Sequence, residues 1–206
     1  MERNVQEKLN SREIQAQKTE RRLFEAAIEL IRGNGYHNVT VDDITKFAGV
    51  SKGTFYLYFD TKDAVLEEQF KYLDNHYAHT AEHLPDAPVD AQLLYFLDQM
   101  CEYCRDVCGL NIMKTLYMNQ ISTELRVKLL NNKDRVFYKI MSDFVARGRG
   151  SGVFRTDMDV DEMMNLIIRS VHGLIYDWCL YDAEFDIVEE CTRYFRNIFT
   201  IIKTAP

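Results

Sequence analysis

The sequence predicts an all-α protein of about nine helices, with a three-helix head that contains a helix-turn-helix and a longer helical body behind it. Three observations support this prediction. Apolar residues recur at intervals of three and four along most of the chain. The ends of these segments carry capping residues and glycines. No segment alternates apolar and polar residues as a half-buried strand would, so a sheet is not expected.

Composition limits the class of protein. The chain has 206 residues, 47% of them hydrophobic, which is normal for a globular protein with a packed core. No apolar run approaches the ~20 residues of a membrane helix, and the first residues contain no apolar stretch typical of a secretory signal. Five unevenly spaced cysteines do not form a disulfide pattern. We therefore expect a cytoplasmic protein without a membrane partner.

Charge gives no support to a broad nucleic-acid surface. The formal net charge is −7, and neither the first 75 residues nor the remainder is basic. Any contact with DNA must therefore depend on a few well-placed cations.

The head begins with an amphipathic helix that ends at Gly33-Asn34-Gly35, because glycine tolerates the left-handed conformation that follows a helix. Thr40 is the predicted N-cap of the second helix, with acidic residues in its first turn, and Gly49 ends it. The predicted inward-facing residues of these two helices are Leu23, Phe24, Ala27, Leu30, Ile31, Ile44, Phe47 and Ala48.

A third helix is predicted to begin at Lys52 behind a Ser51 cap, and a fourth at Lys62 behind a Thr61 cap. Residues 40–59 thus have the spacing of a helix-turn-helix. The fourth helix places Leu66, Phe70, Leu73 and Tyr77 on one face.

The stretch FYLYF, residues 55–59, is too aromatic for every ring to point inward from one short helix. Phe55 and Phe59 share a face that can pack on Leu23, Phe24 and Phe47. Tyr56 and Tyr58 then face outward, between Lys52 and Lys62. A tyrosine hydroxyl can donate to a phosphate oxygen, and an ammonium group can neutralise one.

The body follows a break at LPDAPVD, residues 84–90, and reads as at least four further helices. One has the stripe Leu93, Leu97, Met100, Cys104 and Val107. The segment from Ile112 to Leu130 is less regular, with a possible cap at Ser122. A clean helical pattern follows over residues 136–145, RGRGSG at 147–152 is predicted to be a loop, Asp159 caps a helix to about Tyr181, and a last helix follows from Ile187.

The head resembles the TetR-type transcriptional regulators. The resemblance lies in TVDDITKFAGVSKGTFYLYFDTKDAVL together with AAIELIRGNGY before it. It implies an N-terminal arm at 1–18, a DNA-binding domain at 19–63, and a regulatory and dimerisation body at 64–206. The residues that the resemblance places against DNA are Thr40, Lys52, Gly53, Thr54, Tyr56, Leu57, Tyr58 and Lys62.

The resemblance also implies a homodimer on a palindromic DNA operator, with an effector bound in the body. We predict a dimer interface on the last two helices, at Val171, Ile175, Trp178, Phe195, Ile198, Phe199 and Ile202. We predict a pocket for a small, largely apolar or aromatic effector, lined by Phe96, Met100, Cys104, Tyr117, Phe137, Met141, His172 and Tyr176. The polar row Asn165, Arg169, His172 and Tyr176 fits either the effector or the interface.

These patterns lead to a ligand-responsive repressor as the first hypothesis. An alternative is a DNA-bound regulator that acts through a protein partner without an inducer. A helical enzyme is the third hypothesis, but no nucleophile, phosphate-loop or metal motif is present, and we expect no catalytic residue, metal or cofactor. Cys101, Cys104 and Cys108 could act as a thiol sensor or be core residues, while His76, His79 and His83 could chelate a metal or face solvent.

Overall fold

The structure, a computed structural model, describes residues 11–121 and 128–204. In these residues it forms nine α-helices: α1 Ser11–Asn34, α2 Val41–Ala48, α3 Lys52–Tyr56, α4 Lys62–Glu82, α5 Val89–Glu102, α6 Leu110–Ile121, α7 Val136–Gly150, α8 Val160–Leu180 and α9 Ile187–Ile202. A 3₁₀ turn covers Tyr36–Asn38 and a π-helical turn covers Tyr103–Cys108. The described residues contain no strand beyond one isolated bridge between Phe154 and Lys203. The all-α prediction is confirmed.

Capping explains where several helices begin. Thr40 and Asp43 form a reciprocal capping box at the start of α2, and the Ser51 hydroxyl accepts the Thr54 amide at the start of α3. Asp159 and Asp186 cap α8 and α9 by accepting two backbone amides each. Gly49 ends α2 in the left-handed conformation, with φ at 66°. The predicted caps Thr40, Ser51 and Asp159 and the predicted end at Gly49 are confirmed, whereas the cap at Asp186 was not predicted.

The chain divides into two compact units, with the boundary between Glu68 and Gln69. The core of the smaller unit contains Leu23, Ala27, Ile31, Ile44, Phe55 and Phe59. The core of the larger unit contains Leu93, Phe96, Met141, Phe144, Ile167 and Phe195. Helix α4 begins in the smaller unit and ends in the larger one.

Two predicted boundaries differ from the structure. Helix α1 already includes residues 11–18, which we expected to belong to an arm; residues 1–10 lie outside the described part. Helix α7 continues to Gly150, through most of the predicted loop. Gly148 is buried in that helix because the Phe154 ring packs against its backbone, and a Cβ atom there would lie 2.0 Å from the ring.

The π-helical turn changes which side chains of its segment face inward. Cys104 and Cys108 are buried, whereas Val107 is 44% exposed. A π turn adds residues to one turn of helix, so positions that follow it no longer obey the α-helical period. The prediction of Val107 on the buried stripe was therefore wrong, and the predicted cap Ser122 lies outside the described residues.

No helix in the described ranges is both long enough and apolar enough to cross a membrane.

Candidate functional site

Helix α3 sorts its aromatic side chains onto two faces. Phe55 is fully buried and Phe59 is 3% exposed, and their ring centroids lie 5.5 Å apart. Tyr56 is 49% exposed and Leu57 is 80% exposed. Both phenylalanines therefore belong to the core, as their spacing predicted, and the outer face presents a hydroxyl-tipped ring beside an apolar side chain.

Lys52 is the exposed cation of this face. Its Nζ lies 3.0 Å from Oδ1 of Asp42 on α2, and both side chains are more than half exposed. The hydrogen bond with Asp42 raises the pKa of Lys52, so the ammonium group stays charged. Since water and salt screen an exposed ion pair of this kind, a phosphate can replace the carboxylate at small cost.

Lys62, in contrast, makes hydrogen bonds within the head. Its Nζ donates to the carbonyl oxygens of Tyr36 and Val39, at 2.8 Å each, and lies over the Tyr36 ring. Burial lowers the pKa of Lys62. An ammonium group has three N–H donors, so one is left for a phosphate. The structure thus gives Lys62 a structural task that its position in the sequence did not reveal.

The hydroxyl groups of Thr40 and Thr54 are also engaged. The Thr40 hydroxyl accepts the Asp43 amide at 3.1 Å and lies 2.6 Å from an oxygen of the Asp43 carboxylate. The Thr54 hydroxyl lies 2.8 Å from that of Ser51. These hydroxyls therefore hold the helix starts in place, and a phosphate contact at Thr40 would have to share the capping box.

Gly53 has no internal reason to be glycine. A Cβ atom built on it would have Ser51 Oγ as its nearest neighbour, at 3.8 Å, and its φ is not in the left-handed region. Glycine in an exposed helix costs about 1 kcal/mol relative to alanine. A close approach by an outside molecule would explain the residue.

Phe47 does not pack in the core of the head, and the prediction that it does was wrong. The side chain is 61% exposed on α2, whereas Ile44 and Ala48 are buried. Three positions after Ile44, the helix has turned only partly back toward the core, and the short α2 has a narrow buried face. Phe47 thus adds an exposed apolar ring to the helix-turn-helix, although apolar periodicity alone predicts that it faces inward.

Tyr58, one of the residues predicted to contact DNA, is half-buried.

The larger unit contains a cavity with only about 30 Å³ of free space, room for one or two water molecules. Of the eight predicted effector residues, Met100, Tyr117, Phe137 and His172 line it. The other lining residues are Phe70, Leu73, Tyr77, Met113, Leu116, Leu130, Arg135 and Ile175.

The remaining four predicted effector residues lie elsewhere. Phe96, Cys104 and Met141 are buried in the core and do not line this cavity, and Tyr176 is 40% exposed. The periodic pattern identified apolar helix faces correctly, but it does not show which part of a face borders free space.

Arg135 is the charged residue among the cavity-lining residues that the sequence did not predict. Its side chain is 8% exposed, and its Nε and one terminal nitrogen donate to the two oxygens of Asp74, at 3.0 and 2.8 Å. The other terminal nitrogen donates to the Leu129 carbonyl at 3.2 Å. One signal was available. Arg135 is the N-cap of α7, and the positive end of a helix dipole disfavours a cation there unless an anion compensates it.

His172 is the second titratable group of the cavity lining. Its ring stacks on Phe137 with centroids 5.8 Å apart. Burial, and then the positive charge of Arg135, lower the pKa of His172 to about 4, so the imidazole is neutral near pH 7. Its backbone carbonyl accepts a hydrogen bond from the Tyr117 hydroxyl at 3.2 Å.

The seven residues predicted for the dimer interface belong to the chain's own core. Val171, Phe195 and Ile202 are fully buried within the single chain, and the other four are at most 7% exposed. The strongest apolar rows of α8 and α9 pack within the subunit, so a partner cannot reach them. These seven side chains therefore serve the core of the subunit, and the surface that meets a partner stays a prediction.

The outer faces of α8 and α9 form an open groove of about 440 Å³, which we call the α8–α9 groove. It is lined by Arg169, Ser170, Gly173, Leu174, Asp177, Tyr181, Phe185, Glu190, Arg193 and Tyr194. A second groove of about 720 Å³ shares Arg169, Ser170 and Tyr194 with it. The predicted polar row is thus divided, with Asn165 and Arg169 on these outer grooves and His172 on the cavity.

The three cysteines are buried in the core, and the three histidines stack on neighbouring rings. Cys101, Cys104 and Cys108 are at most 1% exposed, and burial contributes to raising the pKa of the Cys104 thiol well above its usual range. Such thiols are poorly reactive. His76 stacks on Tyr103 with centroids 4.1 Å apart, and His79 stacks on His83. Within residues 11–121 and 128–204, no group of three His, Cys, Asp or Glu side chains could hold a metal ion.

Comparison with known families gives two matches. The model of bacterial regulatory proteins of the tetR family matches residues 23–68. The model of the C-terminal region of YsiA-like proteins matches residues 67–201.

Individual relatives extend over most of the chain. The fatty acid metabolism regulator protein of Bacillus subtilis (strain 168) is 28% identical over 168 residues, which is 81% of this chain and 86% of the relative. The probable acrEF/envCD operon repressor of Escherichia coli (strain K12) is 22% identical over 195 residues, which is 89% of this chain and 86% of that relative.

Two solved structures share the fold. The transcriptional regulator FadR from Bacillus subtilis, in complex with stearoyl-CoA, has a TM-score of 0.76 at 23% identity over 88% of this chain and 98% of its own. Thermus thermophilus FadR, a repressor in complex with lauroyl-CoA, has a TM-score of 0.65 at 21% identity, over 91% of this chain and 97% of its own.

Proposed function

Because the chain belongs to the TetR family of bacterial regulatory proteins, a family of ligand-responsive, DNA-binding transcriptional regulators, we propose that it is a repressor released from its operator by an acyl-CoA. Family membership and the helix-turn-helix support the DNA-binding part of the proposal. The choice of an acyl-CoA as the effector rests on the relatives, since two of them have structures in complex with stearoyl-CoA and lauroyl-CoA. We place the protein in the cytoplasm, where its operator DNA would be. We propose no enzymatic activity for it.

The observation that carries the DNA-binding proposal is the outer face of α3. Lys52, Tyr56 and Leu57 lie exposed on one short, capped helix, next to a glycine that nothing in the chain requires. The ammonium group and the phenol can contact phosphates, and an exposed leucine can contact a thymine methyl group. In this arrangement Lys62 positions the start of α4, and Phe47 adds a further contact surface.

The partner in the proposed dimer is a second copy of the chain, bound at the α8–α9 groove. This groove contains Arg169 and Arg193 together with Asp177 and Glu190, so its charges can pair with those of an identical surface turned by a two-fold axis. Gly173 lies exposed in the middle of α8 and would allow close approach of a partner helix. A dimer would present two recognition helices about 34–36 Å apart, one for each half-site.

The effector site of this proposal is the cavity of the larger unit. Its lining is apolar apart from Arg135, His172 and two tyrosine hydroxyls, which suits a molecule with a long hydrocarbon chain. About 30 Å³ cannot hold such a chain, so binding must displace side chains, and Met100 and Met113 have the flexibility to move. Because Phe70, Leu73 and Tyr77 lie on α4, the displacement acts on the helix that begins in the DNA-binding unit.

The test combines operator selection with effector addition. Duplexes bound by the purified protein are selected from a random pool, and a gel shift is then titrated with lauroyl-CoA. A typical coupling of about 1–3 kcal/mol would weaken DNA binding about 5- to 150-fold. Lys52→Met should weaken binding and reduce the slope of log affinity against log salt by about one, with an unchanged melting temperature. The matched control for Lys52→Met is Lys139→Met, which removes a lysine at an exposed site on α7. If the selection yields duplexes with no common sequence, the proposal is refuted.

The small volume of the cavity favours a second candidate function. A DNA-bound regulator that acts through a protein partner needs no open pocket, and the small size of this cavity fits that requirement. The two candidates differ in one measurement. If acyl-CoAs of several chain lengths neither bind nor release the selected operator, the effector part of the proposal fails while the DNA-binding part stands.

A further inference from the structure

Arg135 is a buried cation beside an apolar cavity. Besides its hydrogen bonds to Asp74 and Leu129, its guanidinium carbon lies 4.8 Å from the centre of the Phe70 ring. An ion pair of this kind is often no more stabilising than a pair of apolar side chains of similar volume. Stability alone therefore does not account for its place in the cavity lining.

The charges around the cavity balance. Asp74 compensates Arg135, and its own side chain is 19% exposed. His172 is neutral near pH 7 because burial lowers its pKa to about 4. The other polar groups of the lining are the hydroxyls of Tyr77 and Tyr117, and the latter donates to a backbone carbonyl. A ligand that enters thus meets no net charge.

The guanidinium group nevertheless has donors to spare. It carries five N–H groups. Nε and one N–H of a terminal nitrogen go to Asp74, and one N–H of the other terminal nitrogen goes to the Leu129 carbonyl. One N–H therefore remains on each terminal nitrogen. An acceptor with no charge can use these donors without disturbing the ion pair.

We propose that Arg135, neutralised by Asp74, is the polar anchor of the effector and binds an uncharged carbonyl oxygen at the end of an apolar chain, as in an ester or a thioester. This inference rests on the proposed function, since it takes the cavity to be the effector site. A free carboxylate would bind less well, because it would bring a second anion next to Asp74. A plain hydrocarbon would bind less well because it leaves the donors unused.

The first experiment separates the carbonyl from the rest of the ligand. Lauroyl-CoA and S-dodecyl-CoA, a thioether that lacks the carbonyl, are compared by calorimetry with the purified full-length protein. Methyl dodecanoate and dodecanoate repeat the comparison without CoA. We expect lauroyl-CoA to bind about tenfold or more tightly than the thioether, and the methyl ester more tightly than the carboxylate. Equal measurable affinities within either pair would overturn the proposal.

The second experiment assigns the effect to Arg135. Replacing both partners, in the double variant Arg135→Met and Asp74→Leu, leaves no unpaired charge and preserves the volume of the pair. This variant should bind lauroyl-CoA and S-dodecyl-CoA alike. The single variant Asp74→Asn leaves the cation uncompensated, so it should shift preference toward dodecanoate. Circular dichroism melting and operator binding verify that both variants are folded, with Lys139→Met as the control.

The outcomes distinguish this inference from the proposed function. If lauroyl-CoA and the thioether release the operator equally, the acyl-CoA proposal holds and the role of Arg135 is overturned. If no CoA compound binds but the methyl ester binds through Arg135, the anchor is supported and the effector class changes. If none of the four compounds binds, both are overturned.

Discussion

The Nζ of Lys62 lies 3.7 Å from the centre of the Tyr36 ring. The same atom donates to the carbonyl oxygens of Tyr36 and Val39, and the Tyr36 hydroxyl in turn donates to the carboxylate of Asp63, the residue next to Lys62. The first turn of α4 is thereby tied to the segment between α1 and α2. This segment leads directly into the helix-turn-helix, so the first turn of α4 and the proposed DNA-contacting face are held by the same contacts.

Replacing Lys62 by methionine should therefore act on stability. The change removes two hydrogen bonds and a cation–π contact, and we expect the free energy of unfolding to fall by about 1–3 kcal/mol in urea denaturation. Operator affinity should fall as well. Lys52→Met is the matched control, since it should lower affinity and salt dependence without a change in stability. An unchanged free energy of unfolding in Lys62→Met would show that the contacts with Tyr36 and Val39 do not position α4.

Gly53→Ala should separate folding from DNA binding. The new methyl group has room in the free protein, and alanine favours a helix, so the melting temperature should stay the same or rise. The same methyl group would lie at the proposed DNA contact, so gel-shift affinity should fall. Gly33→Ala, at another glycine of this unit with open space around it, is the control and should leave affinity unchanged. Full affinity in Gly53→Ala would remove Gly53 from the proposed interface.

Gly173→Leu should disrupt association without harming the single chain. Gly173 is exposed and nothing lies within 4 Å of a Cβ atom built on it, so a side chain can leave the backbone there toward solvent. In a dimer formed through the α8–α9 groove it would hold the two copies apart. Sedimentation equilibrium should show a shift toward monomer, together with weaker operator binding. A dimer as tight as the unmodified protein would place the interface elsewhere, and Lys139→Leu tests whether an exposed leucine alone alters association.

His172 should make stability depend on pH in a defined window. Its pKa is about 4 in the folded chain and about 6.5 when exposed, so between these values only the unfolded chain binds the proton. The free energy of unfolding should therefore fall as the pH drops from about 6.5 toward 4, with a loss of about 2 kcal/mol by pH 5. Urea denaturation at pH 7 and pH 5 measures this loss. His172→Leu should show a smaller difference between the two pH values, and an equal difference would contradict the assignment.

The parts of the fold that the sequence predicted well depend on neighbouring residues. Thr40, Ser51 and Asp159 cap helices through backbone amides two or three positions away, so their role is visible in a short window of sequence. Gly49 ends α2 for an equally local reason. The helical repeat also predicts that Phe55 and Phe59 face inward and that Tyr56 faces outward.

The parts that the sequence predicted poorly depend on what lies across the chain. Phe47 shares the apolar character of Ile44, but its side chain is 61% exposed among the described residues. The sequence predicts Gly148 in a loop, because nothing nearby in the sequence shows that Phe154 folds back onto it. It gives no sign that Arg135 is buried, since Asp74, which compensates its charge, lies 61 positions earlier.

Sequence patterns alone were enough to predict the helices, several of their caps and the helix-turn-helix. These follow from hydrogen bonds and apolar periodicity within a few turns of the chain. The tertiary structure was needed to show which apolar rows are internal, which side chains border the cavity, and that Lys52 is exposed whereas Lys62 bonds to backbone carbonyls. Those questions are settled by distant segments that compete for the same surface, since a side chain is buried only if another part of the chain covers it.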